Sequence, residues 1–210
     1  MTTQNTFDYY FSKYDNFDDY FVNSTNKDAY NIITENNFQQ NILLFGPRKS
    51  GKTSLLKTWV NKNQAIIYNN NLKEIIKNKI NIAIDDVFEN KDEEEIFHII
   101  NHCKSYNLKI LVTTSIQLID YKFKLSDFIS RLRAFYFIEI NNPDDEMCKI
   151  LLTKFFYEKQ IIVKNKEIFN FIFKRISRTY FDIYQIVEKI DKLSLEKKRQ
   201  LTIPLIKEIL

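Results

Sequence analysis

Between residues 41 and 140, short apolar, β-branched runs alternate with longer stretches whose apolar positions recur every three or four residues. The short runs at 42–45, 65–68, 80–84, 109–113 and 135–140 predict strands, and their alternation with helical patterns predicts a parallel sheet with crossover helices. After Pro143 the texture changes. Residues 146–158, 166–176, 181–193 and 204–210 carry apolar residues at helical spacing, with no strand pattern among them. Thr202 ahead of Pro204 predicts a helix start with proline in the first turn. The pattern predicts an α/β fold in three parts: an N-terminal segment (1–36), an α/β core (37–142) and a small all-α domain (143–210).

Glycine is nearly absent from this pattern. Gly46 and Gly51 are the only two glycines in 210 residues, and both lie in one short window between the first strand and a helical run. Gly46, Pro47, Arg48, Lys49, Ser50, Gly51, Lys52 and Thr53 match the phosphate-loop pattern GxxxxGK[ST] at every fixed position. Wrapping a backbone around a polyphosphate requires positive φ and close main-chain approach, which glycine permits. In this reading the loop amides and the helix N-terminus, continuing to Ser54, face the phosphates. Lys52 neutralises the β and γ phosphates, and the Thr53 hydroxyl ligates Mg²⁺. The strand at 80–84 ends in Asp85 and Asp86. The first can hold Mg²⁺ and the second can orient an attacking water, although an exposed acidic turn would read the same way. The next strand ends in Thr113, Thr114 and Ser115, hydroxyls placed to report on a γ phosphate, with Thr113 the candidate catalytic group; threonine is also simply a good strand residue.

Composition narrows the class. The chain is 44% hydrophobic, enough for a real core. No apolar run exceeds the five residues of 134–138, far short of the roughly 20 that span a bilayer, and no signal-peptide pattern opens the chain. A cytoplasmic, membrane-free protein is expected. Cys103 and Cys148 stand apart and predict two buried or half-buried thiols. The formal charge of +4 is uneven: residues 1–36 carry six acids against Lys13 and Lys27, whereas 146–210 carry fourteen Lys or Arg against eight acids. The basic excess is spread along helices and reads as a solvated face, so direct sequence-specific DNA binding is not expected. His98 and His102, four apart beside Cys103, have metal-ligand spacing but no partner ligands in view, and read as an ordinary amphipathic helix.

The order of phosphate loop, acidic strand end, hydroxyl strand end, late arginine and helical lid resembles an AAA+ ATPase module. Within that class the chain resembles the DnaA-related family, and most closely its Hda-like regulators of DnaA. Residues 19–30, "DYFVNSTNKDAY", resemble the segment lining the family's adenine pocket, which implies nucleotide contacts for Phe21, Val22 and Asn26. Asn23 stands where the family usually has glycine, and asparagine tolerates left-handed dihedrals. "DFISRLRAF" resembles the arginine-finger box, placing Arg131 at the finger. "INNPDDEMCKILLTKFFYEKQIIV" and "RQLTIPLIKEIL" resemble the start and the last helix of the lid. DnaA continues beyond that helix into a DNA-binding domain, so a chain ending there is expected to be regulator rather than initiator.

The resemblance implies ATP or ADP with Mg²⁺ as cofactors, DnaA as partner, and negative regulation of replication initiation through Arg131 acting in trans. "QNTFDYYF" resembles the family's sliding-clamp peptide, with Gln4, Phe7 and Tyr9 as anchors; the same aromatics could instead strap the core. One position departs from the pattern. The lid arginine that reaches the γ phosphate in active members is Tyr184 here, so weak or absent intrinsic hydrolysis is expected. A stand-alone ATPase such as a helicase loader, and a non-catalytic clamp adaptor, are the alternatives. A homo-oligomer stays open.

Overall fold

Five parallel strands form one sheet in the spatial order β2-β3-β4-β1-β5: β1 (Ile42–Phe45), β2 (Ile66–Ile67), β3 (Ile82–Ile84), β4 (Ile110–Thr114) and β5 (Tyr136–Glu139). The computed structural model describes residues 20–35, 40–89 and 91–210, so the expectations at Gln4, Phe7 and Tyr9 lie outside the described residues. The helices among the described residues are α1 (Lys27–Thr34), α2 (Lys52–Asn63), α3 (Leu72–Lys77), α4 (Glu93–Ser105), α5 (Ser126–Arg133), α6 (Asp145–Glu158), α7 (Glu167–Phe173), α8 (Tyr180–Lys197) and α9 (Ile203–Ile206).

Period-two alternation sorts the strand side chains onto two faces. Ile42, Leu44, Ala83, Leu111, Ile138 and Ile140 face α1 and α2 and pack on Ala29, Ile33, Leu55, Leu56 and Trp59. Leu43, Ile82, Ile84, Ile110 and Val112 face the opposite layer and pack on Ile75, Ile96, Ile99, Phe128 and Leu132. A sheet covered on both sides has apolar strands throughout, as the runs at 42–45 and 82–84 show. Each aliphatic side chain buried this way contributes about 1.5–3 kcal/mol.

Beyond β5 the chain is helical. Cys148, Leu152, Phe156, Ile168, Ile172, Ile183, Ile186, Val187 and Ile190 form a third apolar cluster from α6, α7 and α8. Met147 and Tyr180, at the roots of α6 and α8, belong instead to the cluster beneath α1 and α2 and tie the lid to the core. Asp144 N-caps α6 through the Met147 amide at 2.7 Å and also accepts from Asn23 Nδ2 and Ser24 Oγ. Thr202 N-caps α9, with proline in its first turn as the sequence predicts, although the helix proper stops at Ile206. Both cysteines are buried and free. Burial pushes the Cys103 thiol up to about 12 and, with Asp145 beside it, the Cys148 thiol up to about 11. Among the described residues no helix is long and apolar enough to cross a membrane.

Candidate functional site

The site is assembled where β1, β3 and β4 end side by side. β1 stops at Phe45, and Gly46 N donates to Thr114 O of the neighbouring strand at 3.2 Å. The chain then turns through residues 46–51 into α2, with Gly51 as N-cap at φ 92°. The two glycines serve different ends. Gly51 supplies the left-handed dihedral, whereas a Cβ on Gly46 would lie 3.0 Å from both Ile140 Cβ and Ser50 Oγ. The second left-handed position in the loop is held by Lys49, at φ 66°. A non-glycine residue in that region stores backbone strain, a feature that concentrates at ligand loops.

Lys52 is buried and donates to Gly46 O at 2.9 Å, Pro47 O at 3.0 Å and Ser115 Oγ at 2.9 Å. Burial pushes its pKa down, against the pull of Asp86 and then Asp85. Thr53 Oγ1 donates to Asp85 Oδ2 at 2.8 Å. Thr113 Oγ1 donates to Asp85 Oδ1 at 2.6 Å and accepts from the Asp86 amide. Ser115 Oγ donates to Asp86 Oδ2 at 3.1 Å, closing a chain from Lys52 to the second acid. Arg48 pairs with Glu89 at the exposed rim, and the Lys49 ammonium lies 3.9 Å above the Tyr184 ring centre.

The structure therefore brings together Gly46, Lys52, Thr53, Asp85, Asp86 and Thr113 as the spacing predicts, but assigns the hydroxyls differently. Thr113 is fully buried, its Oγ1 held by the Asp85 carboxylate and the Asp86 main-chain amide. Ser115, one residue past the strand, is the hydroxyl that meets Lys52. Ser50 is buried with an Oγ that has no partner among the described residues, and Ser54 is exposed on the first turn of α2. The strap ahead of α1 also differs in detail. Asn26 is buried, accepting from Asn23 N and donating to Phe21 O, so its amide holds the strap's shape, with Phe21 and Val22 half-buried beside it. Asn23 does not adopt the left-handed dihedral expected of it. Its side chain accepts from Thr25 and donates to Asp144, a polar role that glycine could not fill. Tyr20, which sequence patterning did not single out, stacks on Tyr30 and crowds Gly51, where an added Cβ would meet its ring at 2.7 Å.

Arg131 lies in the last turn of α5, half-buried, and its guanidinium makes no hydrogen bond or ion pair among the described residues. Arg178 is paired with Asp145. His98 is exposed and His102 contacts Asn78 O, and no group of three or more His, Cys, Asp or Glu suited to a metal occurs among the described residues.

Chemically, these residues fit a polyphosphate with a divalent cation. The helix N-terminus favours anions. The Lys52 ammonium rests on main-chain carbonyls that a phosphate could replace, and a hydroxyl and a carboxylate 2.8 Å apart can share one cation.

Comparison with known proteins agrees with this geometry. Residues 148–210 match the family described as Hda, lid domain. The chain is 27% identical over 185 residues to an uncharacterized protein of Haemophilus influenzae, covering 80% of each. It is 28% identical over 208 residues to the chromosomal replication initiator protein DnaA of Buchnera aphidicola, covering 83% of this chain and 46% of that one. Domain III of Thermotoga maritima DnaA superposes with a TM-score of 0.71 at 16% identity, covering 100% of this chain and 98% of that structure. AMPPCP-bound DnaA from Aquifex aeolicus gives 0.63 at 19% identity, covering 87% and 67%. A phosphate-loop pattern on a five-stranded parallel sheet, a fold shared with DnaA domain III and a match to the Hda lid over residues 148–210 are together consistent with a DnaA-related, Hda-like protein.

Proposed function

We propose that the protein is an Hda-like regulator of replication initiation that binds an adenine nucleotide through residues 46–53 and promotes ATP hydrolysis by DnaA in trans. The observation that carries this reading is the contrast between Tyr184 in the lid and Arg131 on α5. The lid position facing the loop is Tyr184, which has no charge to offer, whereas Arg131 presents a guanidinium without a partner among the described residues. An arginine finger stabilises charge on the transferring phosphoryl and contributes about 10³–10⁵ in rate in the best cases. The protein's own site then sets the position of the lid relative to the core through the ligand it binds. Lys52 would hold the phosphates, with Thr53 and Asp85 the groups for Mg²⁺, which when bound screens phosphate charge. Asp86, through Ser115, keeps Lys52 in place. The Aquifex relative's AMPPCP supports adenine nucleotide as the ligand class. Gln4, Phe7 and Tyr9 would bring the complex to the sliding clamp and so restrict it to replicating DNA.

The test is stimulation of DnaA's ATPase by purified protein in the presence of clamp on DNA. Arg131→Ala should abolish stimulation while leaving nucleotide affinity intact; a mutant as active as wild type would defeat the proposal. Robust hydrolysis by the protein alone, lost on Lys52→Ala, would instead identify a stand-alone ATPase such as a helicase loader.

A further inference from the structure

We propose that Lys49 and Tyr184 form a latch between the phosphate loop and the lid, and that a polyphosphate competes with the lid for the Lys49 ammonium. The inference rests on the proposed polyphosphate site and goes beyond it, because it assigns Tyr184 a role in setting affinity and lid position.

Three observations converge. The Lys49 ammonium sits 3.9 Å from the centre of the Tyr184 ring, a direct bridge from loop to lid. Among the described residues, Lys49 alone of the loop's three cations has no oxygen partner: Arg48 pairs with Glu89, and Lys52 is bound to two carbonyls and Ser115. Finally, the ring is buttressed on the lid side by Phe155, edge-on at 5.8 Å and 84°. Tyr184 lies about one turn beyond Tyr180, which is anchored in the core cluster and bonded to Thr25, so the latch closes just past a fixed root.

A π face attracts an ammonium weakly at an exposed site, whereas a phosphate oxygen offers a charge-assisted hydrogen bond. Lys49 cannot satisfy both at full strength. Phosphate that recruits Lys49 therefore releases the ring, and by linkage the closed latch must weaken phosphate binding by the same factor. Tyr184 thus acts as a positioning residue for the loop's lid-side cation.

The experiment titrates the full chain with inorganic tripolyphosphate, followed by calorimetry, and records hydrogen exchange in residues 180–187. Tyr184→Leu should tighten tripolyphosphate binding about two- to five-fold, the factor equivalent to an exposed cation–π contact. Tyr184→Phe, which keeps the ring, should behave as wild type. Lys49→Met should weaken binding, and Tyr184→Leu added to it should bring no further change. Exchange at 180–187 should rise in ligand-free Lys49→Met, a surface change that does not depend on the Leu variant folding, and in wild type on adding tripolyphosphate. Unchanged or weaker binding by folded Tyr184→Leu, or unchanged exchange in Lys49→Met, overturns the latch. Failure of wild type to bind at all overturns both the latch and the nucleotide reading, whereas binding by wild type with inert variants removes the latch alone.

Discussion

At the scale of single residues, the site depends on a few atoms that have no room to change. Gly51 holds φ 92° and its missing Cβ is the space that Tyr20 occupies. Gly51→Ala adds a left-handed penalty and a ring contact that must be relieved by moving Tyr20. It should lower unfolding free energy by about 1–3 kcal/mol in a denaturant titration. The need for glycine here was legible from the motif; the identity of its neighbour was not, because Tyr20 reaches it from 31 positions away in the chain. The same limit explains Asn23. Backbone tolerance suggested a left-handed turn, whereas the observed reason for asparagine is a hydrogen bond to Asp144, across the core–lid boundary. Thr113 and Ser115 make the point within the site. Both hydroxyls are visible in the sequence, but which of them meets Lys52 depends on the end of the strand, where the chain leaves its regular alternation.

Among the elements, α5 carries Arg131, the proposed arginine finger. Its entry is fixed by Glu93, a buried carboxylate at the start of α4 that accepts from Lys124 N and Leu125 N at 3.0 and 3.1 Å. Residues 92–95 are four consecutive acids at the start of α4, and Asp92 is its N-cap. The inward turn of Glu93 could not be read there, since it answers donors 31 and 32 residues away. Glu93→Ala leaves two part-buried amides without their acceptor. The loss should be about 1–3 kcal/mol of stability, together with faster amide exchange over 124–133, measurable by mass spectrometry. Apolar runs locate the strands to within a residue or two at their ends, with β4 reaching one residue further, to Thr114. The strand order is not legible there. β2 follows the loop strand in sequence yet lies at the edge, and β4 is inserted between β1 and β3.

For the whole molecule, stability is divided between two bodies of apolar packing joined at narrow roots. The lid cluster is closed around Leu152, Phe156, Ile172 and Ile190, all but fully buried. Leu152→Ala should cost about 2–5 kcal/mol, and calorimetry should show the lid loosening while the sheet persists to higher temperature. Both roots run through Asp144, Met147 and Tyr180, which tie the lid to Asn23, to Thr25 and to the cluster beneath α1 and α2.

The sequence by itself determined what is local: the phosphate-loop pattern, the acidic strand end, the apolar strands and the helical texture beyond Pro143. Each depends on residues adjacent in the chain or one helical turn apart. Only the tertiary structure decided which side chains meet: Ser115 with Lys52, Asn23 with Asp144, Glu93 with the entry to α5, Lys49 with Tyr184. Those pairings are made by the sheet order and the seating of the lid, which arise from burying two faces and a helical cluster at once, and no single window of the chain contains that information.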